Sequence, residues 1–122
     1  MINVESSHCY GSIENFFAGV NEVLKGDGVF CFTDFRGAQE MEELKKQVET
    51  HFKVEKCIDI SKNVLHALKL DTKRRLAVIE EKCPKVFVPL INKFSGVEGS
   101  RVFGELESGR TLYYAWLLKK KE

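Results

Sequence analysis

The stretch Asn3-Val4-Glu5-Ser6-Ser7-His8-Cys9-Tyr10 determines the fold together with the elements that come directly after it along the chain. Ser12 is a good helix N-cap, and apolar residues then recur at helical spacing as far as Leu24. After a glycine break comes the apolar run 28–34, which is typical of a strand buried on both faces. A polar segment, an amphipathic helix and a buried strand in this order indicate an α/β architecture.

The middle of the chain continues this alternation. Residues 39–51 carry an apolar stripe among charged residues and predict a surface helix. Residues 52–58 alternate imperfectly and predict a strand that is open to water on one face. Strands that alternate with helices predict an α/β sandwich, in which the late strands pair antiparallel at one edge.

The last third of the chain is more charged and less regular. Residues 61–82 predict one or two helices, whereas residues 85–88, between two prolines, fit either a helix start or an extended connector. Residues 102–106 predict a helix that ends at a serine and a glycine. Residues 110–118, which are rich in tyrosine, tryptophan and leucine, predict the last strand, with its aromatic residues in the core.

Length and composition limit the function. The 122 residues, 43% of them hydrophobic, predict a single domain over residues 1–122. The net charge is +1 and the basic residues are scattered, so no nucleic-acid partner is expected, and Lys119-Lys120-Lys121 is interpreted as a solvated tail. Four widely spaced cysteines predict reduced thiols and no metal site. Without a leader peptide or a membrane span, the sequence predicts a cytoplasmic protein.

Three segments resemble the small-molecule class I S-adenosylmethionine-dependent methyltransferases: the opening stretch 3–10, the turn 24–28 and the segment 32–36. The resemblance covers nearly the whole chain and implies the C-terminal half of a Rossmann-like α/β sheet, with its fourth to seventh strands and flanking helices. These strands would lie side by side in the order 4-5-7-6, with only the seventh antiparallel. A glycine-rich cofactor loop is absent, because Gly26-x-Gly28 precedes a strand instead of following one.

On this template, residues 2–5 are the fourth strand, residues 28–34 the fifth, residues 52–58 the sixth and residues 110–118 the seventh. Ligands in such sheets bind beyond the carboxyl ends of the strands. The segments that leave the fourth and fifth strands would therefore face the same crevice and form the candidate site.

The family resemblance gives each residue of the opening stretch a role. Asn3, Val4 and Glu5 would bind S-adenosylmethionine beside its methionine part. His8 and Tyr10 would be the catalytic residues that face the methyl-transfer centre. His8 is the natural general base, because imidazole exchanges its proton near neutral pH.

Other interpretations of these residues remain open. Asp34 and Arg36, after the next strand, would bind the substrate, or they form only a local ion pair. The polar residues of the opening stretch, Asn3 among them, could simply turn the chain and cap the helix. His8 could line a pocket without acting as a base.

The sequence is consistent with two functions from different classes. The first is a methyltransferase, or its acceptor-side half, that acts on a small-molecule acceptor carrying a hydroxyl or an amine. The second is a truncated, inactive methyltransferase-like fragment that serves as an interaction module. A sheet cut at its fourth strand leaves unpaired backbone groups along a central edge. The sequence therefore predicts a homo-oligomer, in the simplest case a dimer, that forms through this edge.

Overall fold

The structure, a computed structural model, describes residues 1–94 and 97–121, with only the backbone of residues 93 and 94. The strands are β1 (Ile2–Val4), β2 (Val29–Gly37), β3 (Phe52–Asp59) and β4 (Thr111–Lys120). The helices are α1 (Ile13–Val23), α2 (Ala38–His51), α3 (Ser61–Lys82), α4 (Val88–Phe94) and α5 (Arg101–Ser108). Two short 3-10 helices cover Ser7–Cys9 and Lys85–Phe87.

The chain divides into two compact units. The first contains Met1–Ile60 together with the chain from Leu112 onward, and the second contains Ser61–Thr111. A single domain over residues 1–122 stays a prediction. None of the helices in the described part of the chain is both long and apolar enough to span a membrane.

The four strands form one mixed sheet in the order β1-β2-β4-β3. β1 runs parallel to β2, with Val4 opposite Thr33, and β3 runs antiparallel to β4, with Phe52 opposite Lys120. This order, and the antiparallel pairing of the late strands, confirm the predicted α/β sheet. The bounds of the strands differ from the predicted ones by a few residues.

The core lies on the face of the sheet that packs against α1 and α2. Phe30 and Phe32 of β2 point to this face and are almost fully buried, whereas Cys31 between them is exposed. Burial of β2 on both faces was therefore a wrong prediction, because successive side chains alternate and both helices cover the same face. The core cluster consists of Phe17, Val20, Leu24, Phe30, Phe32, Met41, Leu44, Val48, Phe52, Trp116 and Leu118. Trp116 is thus a core residue, as predicted.

The turn between α1 and β2 requires a glycine at one position. A Cβ atom at Gly28 would lie 2.9 Å from the Lys25 carbonyl oxygen and 2.9 Å from Leu24 Cδ1. The first of these atoms belongs to the backbone and has little room to move. Gly26 and Gly28 therefore lie in the turn that precedes β2.

β2 is longer than predicted and continues to Gly37. Asp34 and Arg36 consequently lie within the last part of the strand and not beyond its end. The strand continues because β4 still flanks it where the pairing with β1 stops. There the ring centroids of Phe35 and Tyr113 are 5.9 Å apart.

The described part of the second unit, Ser61–Thr111, consists mainly of helices. Residues 61–82 form one continuous helix. Of the ambiguous residues 85–88, the first three form a 3-10 turn and Val88 begins α4. The predicted helix near residues 102–106 is α5, whose N-cap Ser100 accepts a hydrogen bond from the Phe103 backbone N–H at 3.2 Å. Gly109 ends this helix in the left-handed conformation, with φ of 78°.

Candidate functional site

The turn after β1 and the carboxyl end of β2 meet at one buried carboxylate, that of Asp34. The pairing of Val4 with Thr33 brings the 3-10 turn Ser7–Cys9 beside Asp34. The Asp34 side chain is fully buried. The structure therefore brings together the two segments that the sequence placed at the same edge of the sheet.

Both oxygens of the Asp34 carboxylate accept hydrogen bonds. Oδ1 accepts from His8 Nδ1 at 3.0 Å and from the Phe35 backbone N–H at 2.9 Å. Oδ2 accepts from the Ser7 hydroxyl and from the His8 backbone N–H at 3.2 Å, and Arg36 Nη1 lies 3.3 Å from it. These donors satisfy a buried charge that would otherwise be costly.

The same contacts determine the protonation of Asp34. Burial alone would raise its pKa, because it disfavours the charged form. The hydrogen bonds from Ser7, Phe35 and His8, together with the Arg36 charge, outweigh burial and lower the pKa of Asp34 below its usual value. Asp34 is therefore ionised at neutral pH and can only accept hydrogen bonds.

The ionised Asp34 fixes the tautomer of His8. Since Oδ1 cannot donate, His8 Nδ1 must carry the proton in their 3.0 Å contact. The neutral ring then has Nε2 as its acceptor. The imidazole also lies 4.5 Å from the Phe35 ring, and 31% of the side chain is exposed. This arrangement holds a proton acceptor in a fixed orientation at a partly open position.

Arg36 ties the two segments together. Its guanidinium donates to the Phe35 carbonyl at 2.7 Å and to the Ser7 hydroxyl at 3.0 Å, and it pairs with Asp34. Only 13% of the Arg36 side chain is exposed. The pair is therefore a buried part of a network and not an exposed local ion pair.

Asn3 and Tyr10 form a second group in the opening stretch. Asn3 Nδ2 donates to the Tyr10 hydroxyl at 3.0 Å, and the Ser6 hydroxyl lies 2.8 Å from the same oxygen. The Tyr10 ring packs 4.8 Å from that of Phe16. Asn3 Oδ1 is buried, and no hydrogen-bond partner for it exists among residues 1–94 and 97–121. Tyr10 therefore belongs to a group with Asn3, and the structure shows no hydrogen bond between Tyr10 and Asp34.

Glu5 has an unusual backbone conformation. Its φ of 51° is in the left-handed region, which a non-glycine residue adopts at some cost. The Glu5 backbone N–H donates to the Thr33 carbonyl at 3.0 Å, and its side chain hydrogen-bonds Tyr113. Burial, followed by this contact with Glu5, raises the pKa of the Tyr113 phenol well above its usual range. Val4, the residue before it, is 55% exposed.

Ser7 is the residue that sequence reasoning did not single out for the site. The sequence offered it only as a turn residue, because nothing in the local pattern shows which carboxylate lies across the sheet.

Among the residues that the structure describes, no cluster of three or more histidine, cysteine, aspartate or glutamate side chains could hold a metal ion.

Comparison with known proteins shows curated relatives over part of their length. The phthiotriol/phenolphthiotriol dimycocerosates methyltransferase of Mycobacterium tuberculosis is 26% identical over 121 residues, which is 98% of this chain and 45% of the relative. The enzyme of the same name from Mycobacterium leprae is 24% identical over the same shares. The chain therefore spans less than half the length of these relatives. No family model matches the chain.

Solved structures show the same partial coverage. A putative sarcosine dimethylglycine methyltransferase from Galdieria sulphuraria has a TM-score of 0.73 at 13% identity, over 98% of this chain and 52% of that one. A mycolic acid cyclopropane synthase in complex with SAH has a TM-score of 0.73 at 14% identity, over 98% and 54%. An O-methyltransferase of Brevibacillus brevis, in complex with S-adenosyl-L-homocysteine, has a TM-score of 0.66 at 21% identity, over 98% and 42%. The four-stranded sheet thus has the fold of about half of such a domain.

Proposed function

We propose that this chain, a relative of the class I S-adenosylmethionine-dependent small-molecule methyltransferases over less than half of their length, is the acceptor-side half of a methyltransferase domain. In this proposal His8 removes a proton from the hydroxyl or amine of a small-molecule acceptor. The observation that carries it is the contact between Asp34 Oδ1 and His8 Nδ1, which leaves Nε2 as the proton acceptor.

The chemistry of methyl transfer fits this arrangement. When bound, S-adenosylmethionine supplies an electrophilic methyl group. The protein has to align the acceptor and provide a place for its proton. His8 Nε2 takes the proton, and the ionised Asp34 stabilises the imidazolium that forms, as a carboxylate does in a catalytic triad.

Asn3 fits a role in cofactor binding. Its buried Oδ1 lacks a partner in the described part of the chain, and a buried amide oxygen of this kind favours a donor such as the methionine ammonium of the cofactor. Val4 and Glu5 follow at the carboxyl end of β1. The left-handed backbone of Glu5 supports a functional role for this position, because strained residues cluster at ligand sites.

The contacts favour positioning roles for Asp34 and Arg36, although the sequence assigned them to the substrate. Asp34 orients His8, and Arg36 holds the turn at Ser7 against β2. The acceptor would then meet the exposed part of His8, with Tyr10 near the cofactor through its hydrogen bond to Asn3. Direct contact of Asp34 or Arg36 with the substrate stays a prediction.

Calorimetry with S-adenosylhomocysteine tests the cofactor proposal. We expect saturable binding with one ligand per chain, weakened about tenfold in Asn3→Ala, because one hydrogen bond to a charged group is lost. The exposed Asn63 of α3 provides a matched control, Asn63→Ala, with unchanged affinity. No binding at millimolar ligand, or equal loss in both variants, would contradict the proposal.

The second candidate function, an inactive fragment that acts as an interaction module, is favoured by the position of β1. β1 is at the edge of the described sheet, and its Ile2 is 75% exposed. An uncovered apolar edge strand is a template for pairing with another chain. In this alternative the chain forms a dimer through β1. Light scattering that gives a monomer mass at tens of micromolar would argue against it.

The thiols support a cytoplasmic location, which we also propose. All four cysteines are free, and Cys9, Cys31 and Cys57 are exposed. Exposed free thiols persist in reducing compartments. If these cysteines are reduced in protein purified from its native cell, the result supports this location. If they are disulfide-linked, the result contradicts it.

A further inference from the structure

Four of the eight residues that line an open cleft in the first unit are lysines. Its volume is about 620 Å³, and its walls include Lys53, Lys119, Lys120 and Lys121, with Glu49 and the buried Phe52. Phe52 begins β3, and its partner Lys120 ends β4. Gly26, which precedes β2, also lines the cleft. The cleft is therefore at the amino ends of β2 and β3.

Two of the lysines are held in place by helix ends. Lys120 Nζ donates to the Leu24 carbonyl at 3.1 Å, and Lys121 Nζ donates to the Glu49 carbonyl at 3.0 Å. Leu24 is the C-cap of α1 and Glu49 is in the last turn of α2, where unpaired carbonyls attract cations. The interpretation of this lysine run as a solvated tail was therefore wrong. Each ammonium has three donors, so donors remain for a ligand.

Positive charge is concentrated at this cleft. Lys53 and Lys119 share one neighbour, Glu55, whose Oε1 lies 3.3 Å and 4.0 Å from their ammonium groups. Among residues 1–94 and 97–121, the four lysines against Glu49 and Glu55 leave two positive charges in excess at the cleft, whereas the whole chain has a net charge of only +1. An excess of positive charge along a concave surface raises the local concentration of anions.

We propose that this cleft binds a phosphate-bearing anion, carried either by a soluble molecule or by a lipid headgroup. The cleft is separate from the candidate methyl-transfer site. Asp34 is five residues further along β2 than Val29, which corresponds to roughly 17 Å. An anion in the cleft would therefore bind alongside a ligand near His8, and the two proposals fail or succeed independently.

Two binding measurements distinguish the sources of the phosphate. Calorimetry with inorganic pyrophosphate tests a soluble ligand, and co-sedimentation with phosphatidylglycerol-containing vesicles, compared with pure phosphatidylcholine vesicles, tests a headgroup. We expect saturable binding in at least one measurement at low salt, with loss of affinity as the salt concentration rises. Binding of phosphatidylglycerol vesicles alone identifies a headgroup, and pyrophosphate binding identifies a soluble phosphate.

Matched double variants test whether the lysines are responsible. Lys53→Gln with Lys119→Gln removes two exposed charges from the cleft and should weaken binding by about 25-fold, or about fivefold for each lysine. Lys62→Gln with Lys82→Gln removes two exposed charges from α3 and should leave binding unchanged. Absence of binding in both measurements, or an equal loss in the two double variants, would overturn the proposal.

Discussion

The charges near the two ends of β2 differ in their exposure to water. At the carboxyl end, the single carboxylate of Asp34 is fully buried and surrounded by hydrogen-bond donors. At the amino end, lysines line an open cleft in which Lys53 and Lys119 stay in contact with water. A charge that orients a neighbouring side chain therefore lies at the carboxyl end of β2, and charges of β3 and β4 that could attract a ligand lie near its amino end.

Burial determines what each charge can do. A charge without access to water must be compensated by fixed partners, so its removal disturbs everything that contacts it. An exposed ammonium group stays hydrated, so its removal changes stability little and changes binding more. Substitutions at the Asp34 end should therefore mainly affect folding, and those at the lysine end should mainly affect affinity.

The largest effect is expected for Asp34→Ala. Removal of this carboxylate leaves Arg36 and the Ser7 hydroxyl without their buried partner, and we expect a loss of about 3–5 kcal/mol in the free energy of unfolding. Urea denaturation followed by circular dichroism measures this loss. Asp27→Ala, at an exposed position before β2, should stay within about 0.5 kcal/mol of the original chain. A loss below about 1 kcal/mol for Asp34→Ala would contradict the compensation of this charge by its partners.

Acid should weaken the Asp34 end selectively. Because the folded chain lowers the pKa of Asp34, its contribution to stability is fully present above the pKa of an unfolded aspartate, about 3.9. That contribution is lost as the pH falls through the lower folded-state value. We expect the urea midpoint to fall more steeply below about pH 4 in the original chain than in Asp34→Asn. Parallel pH profiles for the two proteins would refute this assignment.

A smaller effect is expected for Ser7→Ala. It removes one hydrogen bond to a buried charge, for which a loss of about 2 kcal/mol is typical. Ser6→Ala is the matched control and should cost about 0.5 kcal/mol or less, because the partner of the Ser6 hydroxyl among the described residues is the exposed Tyr10 hydroxyl. Thermal or urea unfolding of the pair measures the difference. Equal losses in both variants would mean that burial at Ser7 has no special weight.

The smallest effects are expected at the lysine end. Lys120→Gln weakens the contact with the Leu24 carbonyl at the end of α1 and should cost about 0.5–1 kcal/mol. The Lys119 ammonium group is 4.0 Å from Glu55. Lys119→Gln should therefore change the free energy of unfolding by less than about 0.5 kcal/mol. Urea unfolding at low and high salt compares the two. A loss above about 2 kcal/mol in the free energy of unfolding at either position would contradict the expectation that charges near the amino end of β2 contribute little to stability.

The elements of the fold were largely predictable because hydrophobic periodicity is a local property. The spacing of apolar residues defined α1, and the short apolar run defined β2, whose exact ends depend on the strands beside it. Which face of β2 is covered was not predictable, since that requires knowledge of where α1 and α2 pack. Cys31 is an example: it lies within the apolar run of β2, yet its side chain is exposed on the face that α1 and α2 do not cover.

The candidate site was predictable in its location and less so in its roles. Ligands in such sheets bind beyond the carboxyl ends of the strands, and this rule predicted that His8 and Asp34 lie at the same edge. In the structure, His8 hydrogen-bonds Asp34. The burial of Asp34 and the part played by Ser7 depend on the register between β1 and β2, which no local pattern reveals. The roles of Lys120 and Lys121 depend likewise on helix ends that are distant in the sequence.

The position of the proton on the neutral His8 ring is the sharpest test of the proposed site. Long-range proton–nitrogen correlation spectra of nitrogen-15-labelled protein, recorded at a pH where imidazole is neutral, distinguish the two tautomers. His8→Gln assigns the signal among the three histidines. We expect a proton on Nδ1 and none on Nε2, with this preference lost in Asp34→Asn. A His8 ring protonated on Nε2 in the original chain would refute the proposal that Asp34 holds His8 ready to accept a proton.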